Sequence, residues 1–316
     1  RVNQADSFDI EESLCARGGQ AASAEDADLV VVNTCTVTGA ADQGARNLIR
    51  RVARRNPAAR IIVTGCYATR EPGAMASMPG VVRLVANSGK ALLIAELREH
   101  TTGEGARGSQ LAPGVMGRTA YPLRVQTGCE EQCAFCVIPS TRGASRSRPV
   151  GEVLGEVGRL ALAGYKEVWL VGVHLGSYGR DLQPAESLAG LLRDLDGVRG
   201  DVSFRISSLE PMDCSPEAVD LVARSGRFAP HFHLPLQHAS DRVLGAMRRP
   251  YSADCYRRLV EDIRARIPHA SIGTDVIAGF PGETHADADE SERAVEAMPL
   301  SYLHVFPYSD RPGTAA

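Results

Sequence analysis

Three cysteines, Cys129, Cys133 and Cys136, stand in a C-x3-C-x2-C arrangement just after the apolar stretch Leu123–Gln126. Thiols this close in sequence can converge on one small volume, so any fold open to the chain must gather this loop around a common ligand or bond. Structural zinc usually takes four protein ligands, and no fourth cysteine stands nearby, so a zinc ribbon fits poorly. Catalytic zinc on three cysteines and a disulfide pair remain open alternatives. A [4Fe–4S] cluster takes one thiolate per iron, and three cysteines would leave one iron free for another ligand. That is the reading the spacing favours.

The rest of the sequence limits what can surround such a loop. A chain of 316 residues suggests about two domains. With 44% hydrophobic and 23% charged residues it is globular, which excludes disorder for most of its length. A formal net charge of −3 means that any contact with nucleic acid would use a local patch. Eight unevenly spaced cysteines do not make a secreted disulfide scaffold of this size and point to metal or redox work in a reducing, cytoplasmic setting. No apolar run approaches the ~18 residues of a membrane helix, and no signal peptide is visible. The first residue is Arg1 rather than Met, so a trimmed chain with missing ends is expected.

The first hundred residues alternate short strands with helical stretches. Leu29–Val32 reads as a strand leading to Cys35, and Arg60–Thr64 as a second leading to Cys66. Between them, Ala40 to Arg55 has helical composition with Leu48, Ile49 and Val52 on one face, stopped by Asn56-Pro57. This pattern predicts an amino-terminal parallel-sheet α/β domain over residues 1–100. The Gly-rich polar stretch 101–118 predicts a linker. Over residues 119–316 six candidate strands follow, at Leu123–Gln126, Glu167–Val171, Ser203–Ile206, His231–Pro235, Ser271–Ile277 and Tyr302–Pro307. Helical stretches such as Gly151–Ala163, Pro216–Ala223 and Ala253–Arg266 separate them. About six β/α units fit a partial or complete α/β barrel, with an open doubly wound sheet as the alternative. Either fold places its chemistry at the carboxyl ends of the strands.

The loop C-E-E-Q-C-A-F-C, with Phe135 before the third cysteine, resembles the motif of the radical S-adenosylmethionine (SAM) superfamily. Further segments narrow the resemblance: V-N-T-C-T-V-T (32–38), T-G-C-Y-A (64–68), C-V-I-P-x-x-R-G-x-x-R-S-R (136–148), I-S-S-L-E-P (206–211), H-L-P-L-Q (233–237), G-F-P-G-E-T (279–284) and F-P-Y-S-x-R-P-G-T-A (306–315). Together they resemble the methylthiotransferases, and N-T-C-T-V-T with G-V-H-L-G-S-Y-G resembles the MtaB type. The resemblance implies a partial (β/α)6 radical SAM barrel. Its open iron would chelate the amino and carboxylate groups of SAM, and reductive cleavage would release a 5′-deoxyadenosyl radical. The implied reaction is methylthiolation of C2 of N6-threonylcarbamoyladenosine at tRNA position 37. The alternatives are the MiaB type, acting on isopentenyladenosine in tRNA, and the RimO type, acting on a ribosomal-protein aspartate.

The resemblance also assigns residues. Alone, Cys35 and Cys66 would read as buried structural cysteines; the family holds a second [4Fe–4S] cluster on three cysteines of its amino-terminal domain, with these two among them. The third would immediately precede Arg1, and a carboxy-terminal TRAM domain would follow Ala316; both are expected to be absent from this chain. Implied partners are tRNA and an electron donor such as a flavodoxin, and a monomer is expected.

Candidate SAM contacts are Gly172, Glu210, Gln237, Gly279 and Phe306, each at or near the end of a predicted strand. Against them stand an ordinary loop glycine, a surface carboxylate, a bare turn and core packing. Arg142, Arg146 and Arg148 follow the cysteine loop and could bind SAM, tRNA phosphates or a carboxylate bidentately, or form a solvated loop. Arg46, Arg50 and Arg54 share a helix face that could steer tRNA or simply be exposed. His174, His231 and His233 read as polar lining rather than metal ligands, and Cys15, Cys214 and Cys255 as structural. Two other classes fit the cysteines: an iron–sulfur electron carrier without SAM chemistry, and a zinc-stabilised RNA-binding module.

Overall fold

The computed structural model describes residues 2–16, 18–98, 112–114 and 118–316. The linker expected over 101–118 therefore lies, apart from 112–114 and 118, outside the described residues. Helix α1 (Val2–Ala16) leads into β1 (Leu29–Thr34), α2 (Gly39–Arg55), β2 (Arg60–Gly65), the short α3 (Cys66–Arg70) and α4 (Pro72–Ala76), β3 (Val81–Val85) and α5 (Lys90–Arg98). The three strands form one parallel sheet in the order β1-β2-β3. Helix α2 starts where the Thr38 side chain caps the backbone N–H of Ala41, and it buries Ile49 and Val52 beneath the sheet as its apolar spacing requires.

The sequence pattern misses β3, whose burial does not alternate, and α1, whose apolar residues show no single stripe. Helix α1 lies between two bodies. Phe8 packs edge-on to Tyr121 of the second sheet at 5.6 Å, while Ile10 joins Ile62, Leu93 and Ile94 under the first. A helix buried on two sides has no one-sided periodicity to detect.

The second part begins with β4 (Ala120–Arg124), then β5 (Gln126–Thr127), α6 (Ile138–Arg142), β6 (Arg146–Ser147), α7 (Val150–Leu162), β7 (Glu167–Val171), α8 (Leu188–Asp196), β8 (Ser203–Ile206) and α9 (Pro216–Arg224). It continues through β9 (His231–His233), α10 (Asp241–Ala246), α11 (Ala253–Arg266), β10 (Ser271–Ala278), α12 (His285–Ala297) and β11 (Tyr302–Pro307). Strands β4-β7-β8 and β9-β10-β11 form two parallel sheets, joined by the bridge Ser208–His233 and the Leu209 N–H donating to His233 O at 2.9 Å. The resulting order follows the chain without reversal, so the open doubly wound alternative is excluded and the six strands form a partial (β/α)6 barrel. Its outer faces, with Leu123, Leu170, Phe204, Phe232 and Ile272, meet the helices in one apolar core.

Two strand boundaries differ from expectation. The strand read over Leu123–Gln126 is β4 ending at Arg124; Gln126 and Thr127 turn away to pair antiparallel with Arg146 and Ser147. The strand read over His231–Pro235 ends at His233, because Pro235 has no N–H to donate to a ladder.

Candidate functional site

The cysteine loop leaves the first barrel strand through β5, where Gly128 adopts φ +77° and the Cys129 N–H donates to Gly143 O at 3.0 Å. A Cβ at Gly128 would lie 1.9 Å from Ala144 O, so this position admits only glycine. The other side of the loop is pinned from the barrel: the Ala134 N–H donates to Met247 O at 3.0 Å and the Ala316 N–H to Ala134 O at 2.8 Å.

Two of the three thiols meet a donor. Arg249 Nη1 donates to Cys133 Sγ at 3.1 Å, and the Ile138 N–H lies 3.5 Å from Cys136 Sγ. His174 neighbours Cys129 and sits 2.6 Å from Asp213 Oδ2; burial opposes its charge, but these two partners outweigh that and push it up to about 10. Burial pushes the Cys136 thiol up to about 12 and raises Cys133 as well, against the pull of Arg249. Burial thus keeps Cys133 and Cys136 as neutral thiols until a cation binds, since a ligating thiol is deprotonated outright. A single ion is the poorer fit. Among the described residues, the set of His, Cys, Asp or Glu with ligand atoms within 4.8 Å of one another is His233, Asp275 and His304, not the triplet. A cluster with separate irons accepts the wider spread and the N–H···S donors.

Arg249 is buried and ties this loop to the strand ends. It pairs with Glu210, bonds Tyr251 Oη at 2.9 Å and lies over the Tyr251 ring. Gln237 holds φ +70°, unusual for a side-chain-bearing residue, and is fixed there by its N–H to Asp275 O and by the Ile277 N–H to its own O, both at 2.8 Å. Gly279 at φ +79° starts a turn closed by Glu283, which accepts from the Gly279 N–H at 2.6 Å and the Phe280 N–H at 2.8 Å. Around Gly172 the close neighbours are Leu175 and Gln126 of the protein itself. Phe306 is exposed on β11.

Cys35 and Cys66 each follow one member of the register pair Thr34–Gly65, so both leave neighbouring strand ends of the first sheet. Gly65 has φ +99°, and a Cβ there would lie 2.3 Å from Thr34 O. Asn87 Nδ2 is 3.4 Å from Cys66 Sγ and donates to Thr141 O, in the helix after the triplet, at 2.8 Å. The same edge of the first sheet therefore faces the cysteine loop of the barrel. Buried ion pairs lock that arrangement. Asp6 accepts from Lys90 (2.7 Å) and Arg142 (3.1 Å) and forms an ion pair with Arg124 (3.0 Å), and Arg311 reaches Asp42 at 2.6 Å.

The three arginines after the triplet separate. Arg142 is buried in that tie, bonding Asp6, Asn3 and Thr127. Arg146 is exposed, and Arg148 is half-buried beside Glu152. All three line a cleft of about 180 Å³ with Lys90, Arg124 and Asn87. On α2, Arg50 and Arg54 are exposed while Arg46 lies over Tyr67. Cys214 is buried and Cys255 exposed. Sequence reasoning missed Arg249, Asn87 and Asp6, which no spacing or motif marks.

Residues 123–295 match the family model of the Radical SAM superfamily, and residues 1–87 match Uncharacterized protein family UPF0004. The fold and the triplet thus define a radical SAM protein. The chain is 38% identical to the threonylcarbamoyladenosine tRNA methylthiotransferase MtaB of Aquifex aeolicus (strain VF5), over all of this chain and 80% of the relative. It is 37% identical to the protein of that name from Bacillus subtilis (strain 168), over 92% and 67%. It belongs to the MtaB-type methylthiotransferase family. A tRNA-2-methylthio-N(6)-dimethylallyladenosine synthase of Streptomyces avermitilis is 34% identical, over 92% of this chain and 60% of that one. Among solved structures, the radical SAM methyltransferase TsrM from Kitasatospora setae shares the fold at a TM-score of 0.65 and 17% identity, covering 93% of this chain and 67% of that chain.

Proposed function

We propose that this chain methylthiolates C2 of N6-threonylcarbamoyladenosine at position 37 of tRNA. The observation that carries the reading is the placement of two cysteine sets on facing edges, bridged by Asn87 between Cys66 and Thr141. In this reading residues 1–100 form the methylthiotransferase domain and 119–316 the radical SAM core. Cys129, Cys133 and Cys136 hold one [4Fe–4S] cluster, and Cys35 and Cys66 contribute to a second. When bound, the clusters and SAM supply electron transfer, radical generation and the methylthio sulfur.

The protein's own residues position and shield. Arg249 donates to Cys133, His174 stands beside Cys129, and together they hold the loop's negative charge in place. Glu210, oriented by Arg249, offers a carboxylate to the SAM amino group, while Gln237 and the Gly279 turn bring backbone groups to the rest of SAM. Gly172 and Phe306 complete that surface. Arg146 and Arg148 present cations to tRNA phosphates beside the interdomain cleft, with Arg142 as the buried anchor beneath them. No helix of the described residues is long and apolar enough to cross a membrane. A cytoplasmic monomer served by a flavodoxin-like electron donor fits this chemistry.

The test is mass spectrometry of tRNA nucleosides from a strain lacking the full-length gene. Loss of 2-methylthio-N6-threonylcarbamoyladenosine, restored by the gene, is expected. Loss of the 2-methylthio mark on isopentenyladenosine instead would move the substrate to the MiaB type.

A further inference from the structure

Beyond Phe306, the motif F-P-Y-S-x-R-P-G-T-A (306–315) has no part in the site described so far. Its chain folds back on itself. The Thr314 N–H donates to Arg311 O at 3.1 Å across Pro312 and Gly313, and Gly313 holds φ +88°. Proline followed by a glycine of positive φ is what a type II turn requires. Before the turn, the Tyr308 N–H donates to Ala278 O at 2.8 Å and its ring meets Phe280 edge-on at 5.6 Å. After it, the Ala316 N–H donates to Ala134 O at 2.8 Å, between Cys133 and Cys136. The segment is therefore fastened to the last sheet on one side and to the cysteine loop on the other.

Between those attachments it grips the amino-terminal domain. Ser309 Oγ accepts from the Gly39 N–H at 3.0 Å, at the first residue of α2. One turn along, Arg311 Nη1 donates to Asp42 Oδ2 at 2.6 Å. Asp42 also pairs with Arg70 at 3.5 Å. Arg70 ends α3, the helix that opens on Cys66, and its Nη1 donates at 3.3 Å to Oγ1 of Thr36, the residue after Cys35. Both cysteine arms of the first domain thus meet at Asp42, and Arg311 is the cation that ties Asp42 to the barrel. The pair is an expensive way to gain cohesion alone. Arg311 and Asp42 are buried, and Nε and Nη2 of Arg311 make no hydrogen bond. A desolvated ion pair with donors to spare adds little net stability over apolar packing; its use is to fix one arrangement of the groups it joins.

We propose that Arg311 is a positioning residue for methylthio transfer: through Asp42 it sets the distance between the sheet edge bearing Cys35 and Cys66 and the loop bearing the triplet. This rests on the reading above, in which the two cysteine sets do separate work. Product then forms only when both sets lie against one substrate carbon. Loosening the tie leaves each set intact and spoils their meeting. A misplacement of about 1 Å, made far from the chemistry, can cost about a hundredfold.

The experiment uses the reconstituted full-length holoenzyme as wild type, Arg311→Met and Arg311→Lys. Methionine keeps an apolar stem without the charge, and Asp42 still has Arg70. Lysine keeps the charge, which suffices for a pair made through one nitrogen. Three quantities are read on each preparation: iron and sulfide, hydrogen–deuterium exchange over residues 36–42, and 5′-deoxyadenosine released per methylthiolated nucleoside. The substrate is an anticodon stem–loop carrying threonylcarbamoyladenosine. Arg311→Met should keep its iron and sulfide, exchange faster over 36–42 and release at least about tenfold more deoxyadenosine per product. Arg311→Lys should recover most of the wild-type ratio. Because the ratio is taken within each preparation, a reduced folded fraction does not alter it. A wild-type ratio or wild-type exchange in Arg311→Met overturns the proposal. So does an Arg311→Lys ratio as high as that of Arg311→Met. Loss of iron from Arg311→Met overturns it too, since Arg311 would then only support a cysteine site. A wild type that cleaves SAM but makes no methylthiolated nucleoside sinks the two-site reading and the proposal with it, a result distinct from an unchanged ratio.

Discussion

Arg249 Nη1 donates to the sulfur of Cys133 across 3.1 Å, joining the middle cysteine of the triplet to a residue 116 positions later. The same guanidinium pairs with Glu210, so one buried side chain links a sulfur of the cysteine triplet to a candidate SAM ligand. Hydrogen bonds and positive charge at cluster sulfurs raise reduction potentials. Arg249→Met should therefore move the midpoint of the triplet's cluster to more negative potential and slow reductive SAM cleavage. An EPR-monitored redox titration checks this; an unchanged midpoint would show that Arg249 only braces the loop. Cys133→Ala should abolish 5′-deoxyadenosine formation altogether.

The two cysteine sets should separate by function. In the full-length protein, the double variant Cys35→Ala, Cys66→Ala should still cleave SAM to 5′-deoxyadenosine but form no methylthiolated nucleoside. Iron and sulfide should fall by about half, from two [4Fe–4S] clusters to one. Full iron content together with continued tRNA modification would return both cysteines to a structural role.

Asp6 balances three cations at the junction of the two parts. Burial raises its carboxyl, but Lys90, Arg124 and Arg142 together outweigh this and hold it below the usual carboxylate range. Asp6→Asn leaves the buried Lys90 and Arg142 uncompensated and should cost about 3–5 kcal/mol in denaturant unfolding. The sign of the pH effect follows from the depressed value. The stabilisation is fully present above the ordinary carboxylate pKa of about 4, and is lost as pH falls through the lower folded-state value. Wild type and Asp6→Asn should accordingly converge in stability on acidification. A constant gap down to the acid transition would contradict the assignment.

Two glycines with positive φ test the backbone at the site. Gly65→Ala meets both a disfavoured conformation and a backbone oxygen 2.3 Å from the new Cβ, whereas Gly279→Ala, at φ +79°, meets no atom within 4 Å. Gly279→Ala should cost about 1–2 kcal/mol from conformation alone. Gly65→Ala should cost clearly more, because the β1–β2 edge beside Cys66 must shift. Equal losses in thermal or denaturant unfolding would mean that the edge is looser than the packing implies.

Much of the barrel was legible because strand and helix periods are local. Glu167–Val171, Ser203–Ile206, Tyr302–Pro307 and Ala253–Arg266 fall where their apolar spacing and stop signals put them. Helix α1 was hidden because Phe8 and Ile10 are buried by different bodies, which erases the single stripe. Arginines were ambiguous for a related reason: nothing local distinguishes Arg142, sunk against Asp6, from Arg146 in solvent.

The sequence by itself determined the triplet, the alternation of strands and helices and the short strands that lead to Cys35 and Cys66. Those depend on residue type and short-range spacing, which a chain carries whether folded or not. Only the tertiary structure decided that Arg249 reaches Cys133, that Asn87 spans the two cysteine edges and that Asp275 clamps His233 to His304. Each of these joins residues on separate elements. Burial makes such polar partners obligatory without saying in the sequence which partner each will find.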